Sequence, residues 1–166
     1  MWAIVTGASR GFGLALAKRL ALQGYNLVMV SNEEAELETA RKYIEDSLKA
    51  KGRKPVDIYI YDLDLSVIGA AEKLYGWTGA MGIHCDVLVN DAGIYYYKDL
   101  TDTTVEEQNG IIVLDIVALT TLCRLYAADM VKDVAEARSA GVKKRCYILN
   151  VASYSVYMPI AGLALY

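Results

Sequence analysis

The sequence predicts an α/β fold, a doubly wound parallel sheet of about five strands with helices on both faces. Short apolar runs of strand length alternate with stretches of helical periodicity along the chain. Strands that alternate with helices imply right-handed crossovers, and therefore a parallel sheet. No internal repeat, low-complexity segment or linker interrupts the pattern, so the 166 residues make one domain with room for a sizeable core.

The run Trp2-Ala3-Ile4-Val5 is the first strand, and Leu14 to Gln23 is a helix closed by Gly24, where a left-handed capping residue belongs. Leu27-Val28-Met29-Val30 is a buried second strand. Ser31 followed by Glu34 has the spacing of a capping box, opening a helix whose Leu37, Ala40, Ile44 and Leu48 share one face. Gly52 and Pro55 close it, and the β-branched and aromatic run from Val56 to Tyr61 is the third strand. The loop from Asp62 to Ser66 leads to a short helix, Val67 to Tyr75, then to a loop containing Gly76, Gly79 and Gly82. Asp86 to Val89 is the fourth strand, ended by Asn90-Asp91-Ala92-Gly93. Beyond the cluster Tyr95, Tyr96 and Tyr97, Thr104 and Glu107 form a second capping box. Ile111 to Val131 then reads as a long helix, apolar on more than one face. The polar stretch Asp129 to Lys144 returns to solvent, Tyr147 to Val151 is the fifth strand, and Ser153 follows its end.

Composition narrows the function. With 55% hydrophobic and 22% charged residues the chain is globular, and a net charge of −3 argues against a nucleic-acid partner, which requires a concentrated basic surface. Cys85, Cys123, Cys146 and the single His84 lack metal-ligand spacing, so reduced thiols in a cytoplasmic protein are expected rather than a metal site. The opening strand leaves no room for a signal peptide, and no apolar run is expected to reach membrane-spanning length.

The most informative stretch is Thr6-Gly7-Ala8-Ser9-Arg10-Gly11-Phe12-Gly13, a glycine turn between a strand and a helix. Glycine tolerates positive φ and lets backbone N–H groups approach an anion, and the helix N-terminus behind the turn adds partial positive charge. That combination predicts a seat for a pyrophosphate. In such sheets ligands bind beyond the carboxyl ends of the strands, and the loops at Gly7 to Gly13, Asp64 to Ser66, Asn90 to Gly93 and Ser153 all fall on that edge.

Taken together, Thr6-Gly7 with Gly11-Phe12-Gly13, Asp64-Leu65 after the third strand, Asn90-Asp91-Ala92-Gly93 after the fourth, and Ser153 thirteen residues before Tyr166 resemble the short-chain dehydrogenase/reductase family over essentially the whole chain. The resemblance implies a single Rossmann-type NAD(P)-binding domain over residues 1–166. It implies that Gly7, Ser9, Arg10, Gly11, Phe12 and Gly13 hold the cofactor's phosphates and adenosine ribose, with Asn32 at the ribose end of the second strand. Asp64 and Leu65 would hold the adenine edge, and Asn90, Ala92 and Gly93 would support the sheet and line the ribose side. Tyr166 would be the acid or base and Ser153 would hydrogen-bond the substrate oxygen, an alcohol or carbonyl exchanging hydride with NAD(P)(H). Asp115 stands where the family usually has an asparagine of the proton relay; a backbone role would tolerate the aspartate, whereas an ionised carboxylate would oppose a tyrosinate nearby.

The cofactor expected is NADP, with NAD as the alternative, because Ser31-Asn32 are neutral, Glu33 and Glu34 lie further on, and Arg10 could meet a 2′-phosphate. The family's lysine, four residues after the tyrosine, falls beyond Tyr166. The expectation is therefore the N-terminal cofactor half of a longer reductase, inactive by itself and homo-oligomeric when full-length. The alternative is a dinucleotide-binding sensor or pseudoenzyme without chemistry. Tyr95 to Tyr97 either line a substrate pocket or pack on neighbouring helices.

Overall fold

A computed structural model describes residues 1–166. The elements are β1 (Trp2–Thr6), α1 (Gly11–Leu22), β2 (Asn26–Ser31), α2 (Glu34–Ala50), β3 (Ile58–Asp62), α3 (Ala70–Ala80), β4 (Cys85–Asn90), α4 (Val105–Ile111), α5 (Leu119–Ser139) and β5 (Tyr147–Asn150). All pairings are parallel, in the order β3-β2-β1-β4-β5. The chain steps outward from β1 through β2 to β3 and then returns to place β4 on the other side of β1. This reversal opens a crevice beyond the carboxyl ends of β1 and β4.

Alternate residues of each central strand feed two cores. Ala3, Val5, Leu27 and Met29 meet Leu37, Ala40, Ile44 and Leu48 of α2, together with Ala17 and Ala21 of α1. On the opposite face Ile4, Val28, Val30 and Leu88 meet Leu74 of α3 and Leu114, Ala118, Leu122 and Tyr126 of the long helix. Leu37, Ile44, Leu74 and Leu88 have no exposed surface, and each such side chain contributes roughly 1.5–3 kcal/mol through burial. Trp2 stacks on Tyr59 and Trp77 on Tyr61, with centroids 5.3 and 4.6 Å apart, at the margin of the second core.

Several element boundaries differ from the sequence expectation. Ser31 belongs to β2, paired with Asp62, and its hydroxyl points to Ser9, so no capping box opens α2; Glu33 takes the N-cap position without a side-chain cap. The third helix begins at Ala70, after Gly69 at φ +87°, and runs through Gly76 and Gly79 to Ala80. Buried Thr78, bonded to Tyr126 at 2.8 Å, and Trp77 on Tyr61 anchor that stretch, so packing overrides the weak helical propensity of glycine.

The second capping box is present: Thr104 Oγ1 accepts from the Glu107 amide at 3.2 Å, and Glu107 Oε2 accepts from the Thr104 amide at 2.9 Å. From there α4, a π-helical stretch (Ile112–Ala118) and α5 run on from Val105 to Ser139. This corrects the expectation that no apolar run reaches spanning length. An 18-residue window of the 35-residue helix has mean hydropathy 1.9, enough to cross a bilayer by length and composition. In the fold it instead lies against the sheet through Leu114, Ala118, Leu122, Tyr126 and Met130, while Ile112, Ile116 and Val117 face outward. The outer strand β5 is exposed along its whole length.

Candidate functional site

At the end of β1 the chain turns through Gly7 at φ +66° and Gly11 at φ +59°, conformations that disfavour any side chain. The loop is also sterically closed. A Cβ on Gly7 would lie 2.9 Å from the Ala92 amide nitrogen, and one on Gly13 would collide with the Gly7 carbonyl and lie 2.8 Å from Asp91 Oδ2. Next to Gly11 a Cβ would meet nothing within 4 Å, so the mouth of the loop is open. The N-cap residue of α1, Arg10, supplies no side-chain cap, which leaves amides at the start of this helix available to an anion.

The loops after β1 and β4 interlock. Thr6 Oγ1 accepts from the amides of Asp91 and Ala92, each at 3.1 Å. Burial raises the Asp91 carboxyl above the ordinary aspartate range, partly offset by the Gly13 N–H that it accepts. Asn90, 4% exposed, donates to Asn150 Oδ1 at 2.9 Å and to Cys123 Sγ at 3.3 Å, tying β4 to β5 and α5. A Cβ on Gly93 would lie 3.5 Å from Asp115 Oδ1, a buried oxygen without a hydrogen-bond partner. Burial lifts the Asp115 carboxyl to about 6, against a smaller lowering by the Ile94 N–H. Asp115 is therefore placed beneath the Gly93 loop by the π-helical stretch.

At the β2 end, buried Ser9 accepts from Ser31 Oγ at 3.2 Å and donates to Glu33 Oε2 at 3.0 Å. Arg10 pairs with Glu33 at 3.3 Å and with Glu36 at 3.7 Å. Asn32 is exposed beside them, and Phe12 is 76% exposed at the loop mouth. Glu33 thus stands within the site, although its sequence position suggested that it lay further on; the turn between β2 and α2 carries it back. Thr6 was also missed. Its place immediately before Gly7 was the available signal, since a hydroxyl there can hold the facing loop.

Asp64 lies in the loop after β3, where its Oδ1 accepts from the Ser66 amide at 2.8 Å and the Ser66 hydroxyl at 2.7 Å. The Leu65 side chain is 5% exposed and turned into the core, so only its backbone faces a ligand. Ser153 accepts from Ser155 N at 3.1 Å and Ser155 Oγ at 2.8 Å as the cap of a 3₁₀ turn, Tyr154–Tyr157. Tyr166 packs near Tyr95, with centroids 5.6 Å apart, and borders a crevice with Tyr96, Leu100 and Ile111. The structure therefore gathers the glycine loop, Asp91 to Gly93 and Asp115, but makes no hydrogen bond between Ser153 and Tyr166. The tyrosine-rich loop packs on the last residues, with the Lys98 amide bonded to the Gly162 carbonyl at 2.9 Å.

Comparison with known proteins agrees with this geometry. A family model described as short chain dehydrogenase matches residues 1–166. The very-long-chain 3-oxoacyl-CoA reductase-A of Danio rerio is 30% identical over 166 residues, covering 99% of this chain and 47% of the relative. The very-long-chain 3-oxoacyl-CoA reductase of Mus musculus is 31% identical over 173 residues, with 99% and 48% covered. The chain spans about half the length of these curated relatives. Among solved structures, a metagenomic short-chain oxidoreductase in complex with NADP superposes with TM-score 0.80 at 29% identity, over 100% of this chain and 67% of that one. The bulky-bulky ketone specific alcohol dehydrogenase from Comamonas testosteroni shares the fold at TM-score 0.78 and 23% identity, over 99% and 59%.

Proposed function

The chain belongs to the short-chain dehydrogenase family, and from that premise we propose that it forms the cofactor-binding part of a reductase that uses NADP(H) to reduce a carbonyl. The observation that carries this reading is the glycine cradle: two left-handed glycines, a closed Gly7–Gly13 contact and a helix whose N-cap residue, Arg10, supplies no side-chain cap. These features fit a dinucleotide pyrophosphate. Gly11, Phe12 and the α1 N-terminus would hold the phosphates, Ser9, Arg10 and Asn32 the ribose end, Asp64 and the Leu65 backbone the adenine, and Ala92 and Gly93 the inner ribose. When bound, the cofactor supplies the hydride.

This chain's own residues would manage the oxygen and the proton. Ser153 accepts two hydrogen bonds from Ser155, which leaves its own hydroxyl proton free to donate to a substrate oxygen. Tyr166 would deliver the proton to the developing alkoxide, which requires it to leave its packing near Tyr95. Asp115 serves that relay best when neutral, since a carboxylate beneath Gly93 would oppose negative charge on a phenol or alkoxide nearby. The relatives named as 3-oxoacyl-CoA reductases support a 3-oxoacyl thioester as the substrate class, and the one in complex with NADP supports the phosphorylated cofactor.

Calorimetric titration of NADPH and NADH, followed by 3-oxoacyl-CoA-dependent NADPH oxidation, tests this reading. It should be run on this chain and on the chain extended by what the gene encodes after Tyr166. Binding by both with turnover by the extended chain is expected. Binding without turnover in either would favour a dinucleotide sensor, and no binding would overturn the reading.

A further inference from the structure

A net charge of −3 conceals an uneven distribution. In a parallel sheet each helix returns the chain to the amino edge, opposite the cradle, and two of these return loops are basic: Lys51-Gly52-Arg53-Lys54 between α2 and β3, and Lys143-Lys144-Arg145 between α5 and β5. The two loops are built alike. A left-handed glycine ends each helix, Gly52 at φ +60° and Gly141 at φ +73°, and the next amide closes the turn, Arg53 donating to the Leu48 carbonyl at 2.9 Å and Val142 to the Ala137 carbonyl at 2.8 Å. Lys51, Arg53, Lys54, Lys143 and Arg145 are exposed on this fixed backbone.

Nothing within the chain neutralises these cations. Ion pairs engage only their neighbours, Lys49 with Asp46 at 3.5 Å and Lys144 with Asp86 and Asp133 at 3.3 and 2.8 Å. Between residues 51 and 57 the one carboxylate is Asp57, and between 140 and 146 there is none. Helix dipoles do not account for the charge, since their attraction fades within the last turn and Arg53, Lys54, Lys143 and Arg145 lie past the ends of α2 at Ala50 and α5 at Ser139. β3 and β5 are the flanks of the sheet, so four strand spacings set the loops about 19 Å apart. Exposed Met81 and Val142, in the turns before neighbouring strands β4 and β5, share this edge. The carboxyl edge instead exposes Glu34, Asp64, Asp99 and Asp102.

We propose that the amino edge of the sheet is a peripheral docking surface for an anionic lipid bilayer, gripped by the basic loops at its two flanks, with the glycine cradle turned to water. The two clusters are too far apart for one small anion to bridge, whereas lipid headgroups present negative charge continuously over that span. Met81 and Val142 favour lipid over a nucleic acid, because only a bilayer has an apolar layer to receive them. Repulsion of the acidic carboxyl edge by the same surface fixes the orientation. The proposal is independent of the cofactor reading above.

Co-sedimentation of the full chain with vesicles tests the proposal. Binding is expected to phosphatidylcholine vesicles containing about one-third phosphatidylserine and not to phosphatidylcholine alone, and it should be lost as salt rises from about 0.05 to 0.5 M. Each basic residue near such a surface contributes about fivefold in affinity, so Arg53→Gln with Lys54→Gln, and separately Lys143→Gln with Arg145→Gln, should each weaken binding about twentyfold. Lys42→Gln with Lys73→Gln removes the same charge from exposed positions within α2 and α3 and should weaken it by less than about threefold. Circular dichroism establishes that each variant folds. No binding, equal binding to neutral vesicles, undiminished binding by the folded loop variants, or an equal loss in the Lys42 and Lys73 control overturns the proposal. So does a single-stranded RNA oligomer that binds the same loops more tightly than the vesicles do. NADPH affinity in the presence of saturating vesicles should stay within about twofold, and vesicles that exclude NADPH would place the contact at the carboxyl edge and overturn the proposal. If NADPH binds neither with nor without vesicles, the cofactor reading fails, and vesicle binding still decides this one.

Discussion

At the amino ends of the strands Asp86 and Asp133 share Lys144, at 3.3 and 2.8 Å, and Asp133 also meets His84 at 3.3 Å. At the carboxyl ends Asp91 and Asp115 are set against backbone and make no ion pair. The two clusters respond oppositely to burial. For Asp133 burial is outweighed by Lys144 and His84, and its carboxyl is held below the usual range. For Asp91 and Asp115 burial prevails and both are raised. A parallel sheet whose lower end is neutralised and whose upper end keeps uncompensated polar groups has spent its stability at one edge and placed its ligand chemistry at the other.

The most severe way to break this contrast is to close the upper edge. Gly13→Val should cost about 3 kcal/mol in urea denaturation, because its Cβ meets the Gly7 carbonyl, and should abolish NADPH binding. Removing the cation below, with Lys144→Met, strands two carboxylates that are largely buried. It should cost about 2 kcal/mol and leave NADPH affinity within about twofold, as measured by denaturation and calorimetry in parallel.

A subtler effect comes from Asp115. Its folded pKa, about 6, lies above the ordinary aspartate value of 3.8, so the folded state holds the proton more tightly than the unfolded chain. That contribution is full below the unfolded value, declines as pH rises between the two values and is absent above them. Asp115→Asn should remove this slope and stabilise the protein by about 1–2 kcal/mol at pH 8, discounting the full shift for partial exposure. Asp133 has the reverse sign, its contribution being lost as pH falls through its depressed value. The smallest expected effect is Thr104→Ala, which deletes the capping box of α4 and should cost about 1 kcal/mol without altering cofactor affinity.

Where local chemistry decided the outcome, the sequence was sufficient. Leu37, Ala40, Ile44 and Leu48 recur at helical spacing and are all buried; Thr104 and Glu107 have the capping spacing and form the box. The glycine turn was legible because its residue types answer a backbone requirement. Ser31 and Glu34 had the same capping spacing, yet β2 extends to Ser31 by pairing with Asp62, and a strand hydrogen-bonding pattern excludes a helix cap. Gly76 and Gly79 suggested a loop because their neighbours' tertiary contacts, Thr78 with Tyr126 and Trp77 with Tyr61, connect residues distant in the chain. For the same reason the site was only half legible. Glu33 enters it through a turn whose direction depends on Ser9, and the position of Asp115 under Gly93 depends on a π-helical stretch.

The chain's two tryptophans, Trp2 and Trp77, both sit in the aromatic stack with Tyr59 and Tyr61. Trp2 opens β1, away from the cradle that follows the far end of that strand, whereas Trp77 lies in α3 and stacks on Tyr61, which the strand register sets level with Thr6. Intrinsic ultraviolet emission of this protein is consequently a gauge of whether β1, β3 and α3 are assembled. Radiationless transfer from these two indoles to a reduced nicotinamide should dim that emission, giving an optical report of cofactor binding without attaching a dye.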